Sequence, residues 1–268
     1  MIHPSAVISP SAKIGKNVQI GPYSVIGDEV DLRDNVEILS HVCVDGRTVV
    51  GEGTKIFSFA AIGYPPQDLK YGGESSILII GKNNSLREYV TIHPGTRGGI
   101  MKTVIGDNNL FMIGVHIAHD CVIGNNVIMG NNATLGGHVK IDDSVIIGGL
   151  SAVHQYVRIG RNAVIGGMSG VERDVIPYGA VKGERARLYG INLIGLKRSG
   201  VSRQEITKLR KAYDVIFSRV GTLNENLNAL EQIVESSSYV NDIVKFMRGD
   251  ANRSFCLPKE INSKHELL

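Results

Sequence analysis

An aliphatic residue returns at every sixth place from Ile2 through Ile8, Ile14, Ile20, Ile26, Leu32, Ile38, Val44, Val50 and Ile56 to Ile62, without a miss. Four places after each stands a small or β-branched residue: Ala6, Ala12, Val18, Ser24, Val30, Val36, Val42, Thr48, Thr54 and Ala60. A period of six matches neither the 3.6 of a helix nor the alternation of a flat hairpin. It is the hexapeptide signature of a parallel β-helix, whose short strands alternate with corners and whose interior takes one large and one small residue per side. One coil cannot bury its apolar face alone, so many copies are needed. Composition agrees, because 32 glycines and no tryptophan in 268 residues suit tight corners better than a core of large rings. The glycines keep no Gly-X-Y period, which excludes collagen.

The sixes stop after Ile62, where Gly63-Tyr-Pro-Pro-Gln67-Asp68-Leu-Lys70-Tyr71-Gly-Gly opens a stretch of loop composition over 63–79. They return in phase at Ile80, Leu86 and Ile92, break again over 97–104, and resume at Ile105, Phe111 and Ile117, shifted by one residue, to run on to Val171. The fold class expected is therefore mainly β, a parallel β-helix over 1–186 with two loop excursions, followed by a C-terminal α-helical domain over 187–268. From about Arg187 the periodicity becomes helical. Asn192 to Arg198 reads as a short helix stopped by Gly200. Ser202-Arg-Gln-Glu205 and Thr222-Leu-Asn-Glu225 are capping-box patterns, the first ahead of Ile206, Leu209, Tyr213, Ile216, Phe217 and Val220, the second ahead of Leu227, Leu230, Ile233 and Val234. A further helix is expected over Val240 to Met247, and the stretch after Arg248 has no pattern and is expected to fray.

A net charge of +3 gives no global reason to expect nucleic-acid binding or a polybasic membrane anchor. Locally, Lys182, Arg185, Arg187, Lys197, Arg198, Arg203, Lys208, Arg210, Lys211 and Arg219 face only Glu184, Glu205 and Asp214. Such a run is either a set of solvated helix faces or a dock for an acidic partner. Three widely spaced cysteines, Cys43, Cys121 and Cys256, argue against a disulfide framework and for a reducing compartment. Neither a signal peptide nor a membrane-spanning run is visible, so a cytoplasmic location without membrane insertion is expected.

If 18 residues make one coil, residues 18 apart stack at the roughly 4.8 Å spacing of paired strands. His119, Gly137 and Gln155 then form one column, Asp120, His138 and Tyr156 the next, and Ala118, Gly136 and His154 a third. Four histidines, His116, His119, His138 and His154, thus gather on one edge. The second excursion should emerge beside them, since Met101 lies 18 places before His119. Two uses compete for such a cluster, a metal site and a general base. The γ-class carbonic anhydrases hold zinc on a similar solenoid, but with a histidine pair four intervening residues apart, which the cluster lacks; metal: none is the expectation. For a base, His119 should point outward near a corner, Asp120 would orient its imidazole, and Gly137 offers an unobstructed N–H to an oxyanion. No serine or cysteine shares the columns, and Cys121 falls at the small inward place. Direct transfer without an acyl-enzyme is the economical reading.

Four segments in order, Gln67-Asp68-Leu-Lys70-Tyr71, His116-Ile-Ala-His119-Asp120-Cys121, Ala152-Val-His154-Gln155 and Gly195-Leu-Lys197-Arg198, resemble the UDP-N-acetylglucosamine O-acyltransferases of lipid A synthesis. The resemblance spans essentially the whole chain. It implies a left-handed β-helix, a homotrimer with sites between subunits, and transfer of an R-3-hydroxyacyl group from acyl carrier protein to the glucosamine 3-hydroxyl of UDP-N-acetylglucosamine. No cofactor of the enzyme's own is implied, because the acyl donor rides on the carrier's phosphopantetheine. By position, His119 would be the base, Asp120 its partner and Gly137 the oxyanion donor. Gln67, Asp68 and Lys70 would hold the sugar and donor region, His116 and His138 would line the reacting centre, and His154, Gln155, Asn192 and Arg198 would bind the nucleotide sugar. Gly167 would leave room at the end of the acyl pocket. The family often carries a glutamate and a second arginine after the Asn192 position, where this chain has Ile194 and Ser199.

Two alternatives keep the same fold and base: an acceptor with a 3-amino group, giving an amide, and an acetyl-CoA-dependent sugar O-acetyltransferase. The later N-acyltransferase of the pathway has a uridine-binding domain before its β-helix, whereas here the sixes begin at Ile2. A non-catalytic scaffold would explain the repeat but not the clustered histidines.

Overall fold

A computed structural model describes residues 1–218, 220–230, 237–249 and 252–258. The sixes fold as expected into a left-handed parallel β-helix. Its strands, mostly two residues long, build three sheets of nine, eight and ten strands, parallel except for the terminal strand of the ten, that form the sides of a triangular prism. Register follows the 18-residue coil: Val7 stands over Val25, Ile20 over Ile38, and Ile123 over Ile141. The aliphatic and small places both point inward, so Ile26, Val30, Leu32, Val36, Ile38 and Val42 are all at most 1% exposed. Each such aliphatic side chain contributes roughly 1.5–3 kcal/mol by leaving water. Cys121 takes the small inward place, fully buried.

The corners turn through the left-handed backbone region, and the three edges differ in what they place there. The edge after the eight-stranded sheet uses Asn17, Asn35, Asn83, Asn108, Asn126 and Asn162, with φ between 54° and 60°. Asparagine tolerates that conformation at low cost because its short amide bonds locally. The edge after the ten-stranded sheet carries Tyr23, His41, Phe59 and Tyr89, whose rings follow one another at 5.1–5.2 Å. The edge after the nine-stranded sheet carries Asp120, His138 and Tyr156 at φ 59°, 64° and 65°. This last one is the histidine edge.

The top of the prism departs from the sequence reading. Arg187–Ile191, expected as the start of the helical part, is a strand paired antiparallel with Gly179–Lys182. Alternation explains it: Leu188 is 2% exposed and Tyr189 55%, a strand's period over too few residues to separate from a helical one. Helices follow at Leu193–Arg198, Arg203–Ile216, Leu223–Asn228 and Ser238–Arg248. The box at Thr222 is complete, but at Ser202 only half forms, because the Glu205 carboxylate turns to Lys208 and Ser237 instead. Ile233 and Val234, expected to continue the helical pattern after the second box, lie outside the described residues. Beyond Arg248 the described residues are not frayed. Phe255 bridges Asp174, the Cys256 amide bonds the Asp174 carbonyl, and Cys256 is 2% exposed.

Candidate active site

The strand His116–Ile117 ends the nine-stranded side, and the chain turns through His119 and Asp120. His119 Nδ1 lies 2.8 Å from Asp120 Oδ2. An ionised carboxylate only accepts, so Nδ1 carries the hydrogen and the lone pair of the neutral ring sits on Nε2. That nitrogen faces Gly137 one coil above: a Cβ placed on Gly137 would come within 2.6 Å of Nε2 and 2.5 Å of Cε1. Glycine is required here because the imidazole occupies the side-chain space. The Gly137 N–H has no acceptor among the described residues.

The second excursion emerges beside this edge and closes on Asp120. Oδ2 accepts the Thr96 hydroxyl at 2.7 Å and the Thr96 amide at 3.0 Å, while Oδ1 accepts the Ile100 amide at 2.8 Å. Gly99 packs directly on the carboxylate, where a Cβ would meet it at 2.3 Å. Burial pushes the Asp120 pKa up, but the Thr96 hydroxyl, the His119 ring and the Thr96 amide outweigh it and hold the carboxyl below its usual range. His119 points outward at the corner as expected, and the second excursion covers it. His119 lies outside the prism interior, yet it is only 7% exposed and Asp120 only 3%.

His138 stands edge-on to the His119 ring at 5.0 Å and is stacked on Tyr156 at 4.3 Å. Burial lowers its pKa, with Asp120, His119 and Asp68 as smaller charge effects. His116 accepts or donates at Nδ1 to the Thr91 hydroxyl, 2.7 Å away, and burial followed by the nearby His119 lowers its pKa. His119, Asp120 and His138 present ligand-type atoms within 4.8 Å of one another. The Asp120 carboxylate, however, is already committed to Thr96, Ile100 and His119, which a metal would have to displace.

Other expected site residues are spread out. Asp68 is half-buried in the first excursion, near enough to act on the charge of His138, while Gln67 and Lys70 beside it are exposed. His154 and Gln155 lie one coil above Gly137, and Arg253 reaches them from the C-terminal segment, donating to His154 Nδ1 at 2.7 Å and to the Gln155 carbonyl at 3.1 Å. Asn192 is not brought to the histidine edge. Asn192 caps the helix Leu193–Arg198 by accepting the Gly195 amide, and its own NH2 bonds the Asn162 carbonyl on the asparagine edge. Arg198 is exposed at the end of that helix. Gly167 belongs to the third edge, where a Cβ would approach the Gly149 carbonyl at 3.2 Å.

Sequence reasoning missed His93, Thr96 and Arg253. His93 is 6% exposed, edge-on to His116 at 5.0 Å, with Nδ1 buried and unbonded. Burial, with His116 and His119 next in order, pushes its pKa down to about 4. The signal was there but displaced: Ile92 pairs with Ile117, so His93 stacks under Ala118 across the second excursion, out of the 18-residue count. Of the basic run, Lys208 pairs with Glu205, Lys182 lies over the Tyr189 ring, and Arg219 lies outside the described residues.

A prism of sixes with an imidazole aimed across one corner defines a hexapeptide-repeat transferase, and the bacterial transferase hexapeptide family matches residues 102–137. The family described as UDP-N-acetylglucosamine O-acyltransferase, domain 2, matches residues 174–256. A Caulobacter vibrioides protein named acyl-(acyl-carrier-protein)–UDP-N-acetylglucosamine O-acyltransferase is 54% identical over 258 residues, 96% of this chain and 98% of its own length. One of the same name from Rickettsia canadensis is 52% identical over 95% of this chain and 97% of its own. The crystal structure of the Francisella novicida UDP-N-acetylglucosamine acyltransferase superposes with a TM-score of 0.93 at 37% identity, covering 97% of this chain and 95% of that one. This chain belongs to the UDP-N-acetylglucosamine O-acyltransferase family.

Proposed function

We propose that this protein transfers an R-3-hydroxyacyl group from acyl carrier protein to the glucosamine 3-hydroxyl of UDP-N-acetylglucosamine, the first step of lipid A biosynthesis. The names of its relatives support the two substrates, and the mechanism rests on one observation, the His119 ring fixed through Nδ1 by Asp120 with Nε2 free beside Gly137. Nε2 takes the proton of the sugar hydroxyl as its oxygen attacks the thioester carbonyl. The Gly137 N–H donates to the oxyanion that forms, and Asp120 balances the imidazolium. When the intermediate collapses, the C–S bond breaks and the imidazolium returns its proton to the departing phosphopantetheine thiolate. Ester and free thiol are the products, and no acyl-enzyme is needed.

The same reading has three copies of the chain forming a homotrimer. Asn192 sits by the asparagine edge and Gly167 on the third edge, away from His119. One chain cannot offer all three edges to one ligand; a neighbouring copy can. The acidic carrier protein suits the basic C-terminal part. Free thiols at Cys43, Cys121 and Cys256 suit a reducing compartment, the cytoplasm, and no described helix is long and apolar enough to cross a membrane.

The test is transfer from R-3-hydroxyacyl carrier proteins of several chain lengths to UDP-N-acetylglucosamine, with products identified by mass spectrometry and with acetyl-CoA and the 3-amino sugar nucleotide run alongside. An ester from one preferred chain length is expected. Turnover only with acetyl-CoA or the amino sugar would overturn the substrate assignment.

A further inference from the structure

Glu74 lies in the first excursion, apart from every residue given a role above. Its carboxylate accepts two backbone amides, Gly72 at Oε2 at 2.8 Å and Arg97 at Oε1 at 2.7 Å. The first bond lies within its own excursion, and the second crosses to the other. Its carbonyl is also occupied, by the Tyr71 hydroxyl and the Ser76 amide, so the residue is fixed at both ends. Gly73, at φ +80°, gives the reversal that returns Gly72 to the carboxylate.

What Glu74 holds matters more than how it is held. Arg97 follows Thr96, whose amide and hydroxyl both donate to Asp120 Oδ2. A single peptide unit therefore separates the bond that fastens the two excursions from the bonds that aim Asp120 at His119. Surface loops ordinarily leave such amides to water. Here a carboxylate takes them, and hydrogen bonds to an ionised acceptor are the stronger kind. The Arg97 amide, first among several hydrogen bonds, keeps the Glu74 carboxyl below its usual range, so it stays ionised through neutral pH.

We propose that Glu74 is a positioning residue that fastens the excursion bearing Gln67, Asp68 and Lys70 to the excursion that clamps Asp120, so that order in the first loop is passed to the His119–Asp120 pair. This rests on the acyl-transfer reading given above. Glu74 touches no reacting atom in this account and acts through Thr96 and Asp120.

The experiment compares Glu74→Ala and Glu74→Gln with the wild type in steady-state transfer and in hydrogen exchange of the amides of Thr96, Arg97 and Ile100. Glu74→Ala should lower kcat by about 10- to 100-fold, the scale of a small misplacement of a catalytic group, with KM for the sugar nucleotide and the thermal midpoint little changed. Glu74→Gln, which keeps one acceptor oxygen, should recover part of the loss. Exchange at all three amides should quicken in Glu74→Ala. Adding Thr96→Val to Glu74→Ala should cost less than it does alone, since both act on one carboxylate. Unchanged exchange at Thr96 and Ile100, or wild-type kcat despite faster exchange, would overturn the proposal. If the wild type itself forms no ester, the acyl-transfer reading fails, while the exchange data still decide whether Glu74 holds the second excursion.

Discussion

The asparagine edge and the histidine edge are built from the same repeat, the same left-handed corners and the same inward places, yet they treat one backbone amide in opposite ways. On the asparagine edge the amide just before the corner residue is taken by a side chain of the coil above: Lys16 by Asp34, Lys82 by Asp107, Asp107 by Asn125 and Asn125 by Asp143, all at 2.6–2.7 Å. These bonds tie coil to coil. On the histidine edge the equivalent amide, that of Gly137, is left open, and the His119 ring from the coil below fills the space beside it. Of its corner residues Asp120, His138 and Tyr156, only Tyr156 lies outside the residue types that enter the left-handed region readily, so this edge keeps its corners while presenting titratable groups. One edge is spent on the fold and the other on the reaction.

That contrast can be broken most severely at His119. His119→Ala should lose roughly 10²–10⁴-fold or more in turnover, as expected for a general base, with circular dichroism unchanged, because the ring lies outside the prism interior. Retained turnover in a transfer assay would remove the base from the histidine edge. Gly137→Ala sharpens the point from the other side of the same contact. Its Cβ would overlap His119 Nε2 at 2.6 Å, so the ring must swing, and turnover should fall about a hundredfold while the N–H remains in place. A fully active Gly137→Ala would show that the ring position is not critical.

A smaller effect separates the edges by pH. His93, buried beneath the histidine edge, has a pKa pushed down to about 4 from an ordinary 6.5. The unfolded chain therefore takes up a proton near pH 6.5 that the folded protein refuses until about pH 4. Stability must fall as pH drops through that window, by about 2 kcal/mol between pH 7 and pH 5 from this group. In His93→Phe, which keeps a ring against His116, the loss measured by denaturant titration at the two pH values should shrink by that amount. An unaltered pH dependence would mean His93 is not held neutral.

Most of the prism was legible because hexads repeat themselves: Ile20 and Ile38 each declare the same inward place, and one misread residue cannot hide the series. The pairing of His119, Asp120 and Gly137 followed from the same arithmetic. What was not legible lies where period is lost. His93 was hidden by the extra residues of the second excursion, and Thr96 and Glu74 by standing in loops where spacing carries no direction. Arg253 acts through a tail that gains its order from Asp174 and Leu188 of the prism rather than from any pattern of its own. Arg187–Ile191 was misjudged for a different reason, since five residues are too few to tell a strand's alternation from a helical stripe. Asn192 and Arg198 were assigned to the nucleotide sugar by resemblance alone, in a site expected between subunits, and no period in the sequence tells that Asn192 bonds the Asn162 carbonyl on the asparagine edge.

The most direct measurement is a side-by-side comparison of turnover and thermal midpoint in His119→Ala and Asn126→Ala. The two variants should behave in opposite ways. His119→Ala should lose roughly 10²–10⁴-fold or more in transfer to UDP-N-acetylglucosamine while melting close to the wild type. Asn126→Ala, which forces alanine into a left-handed corner at φ 57°, should lose roughly 1–2 kcal/mol of stability with kcat intact. If both variants lost activity and stability in the same proportion, the division between a reacting edge and a folding edge would be contradicted.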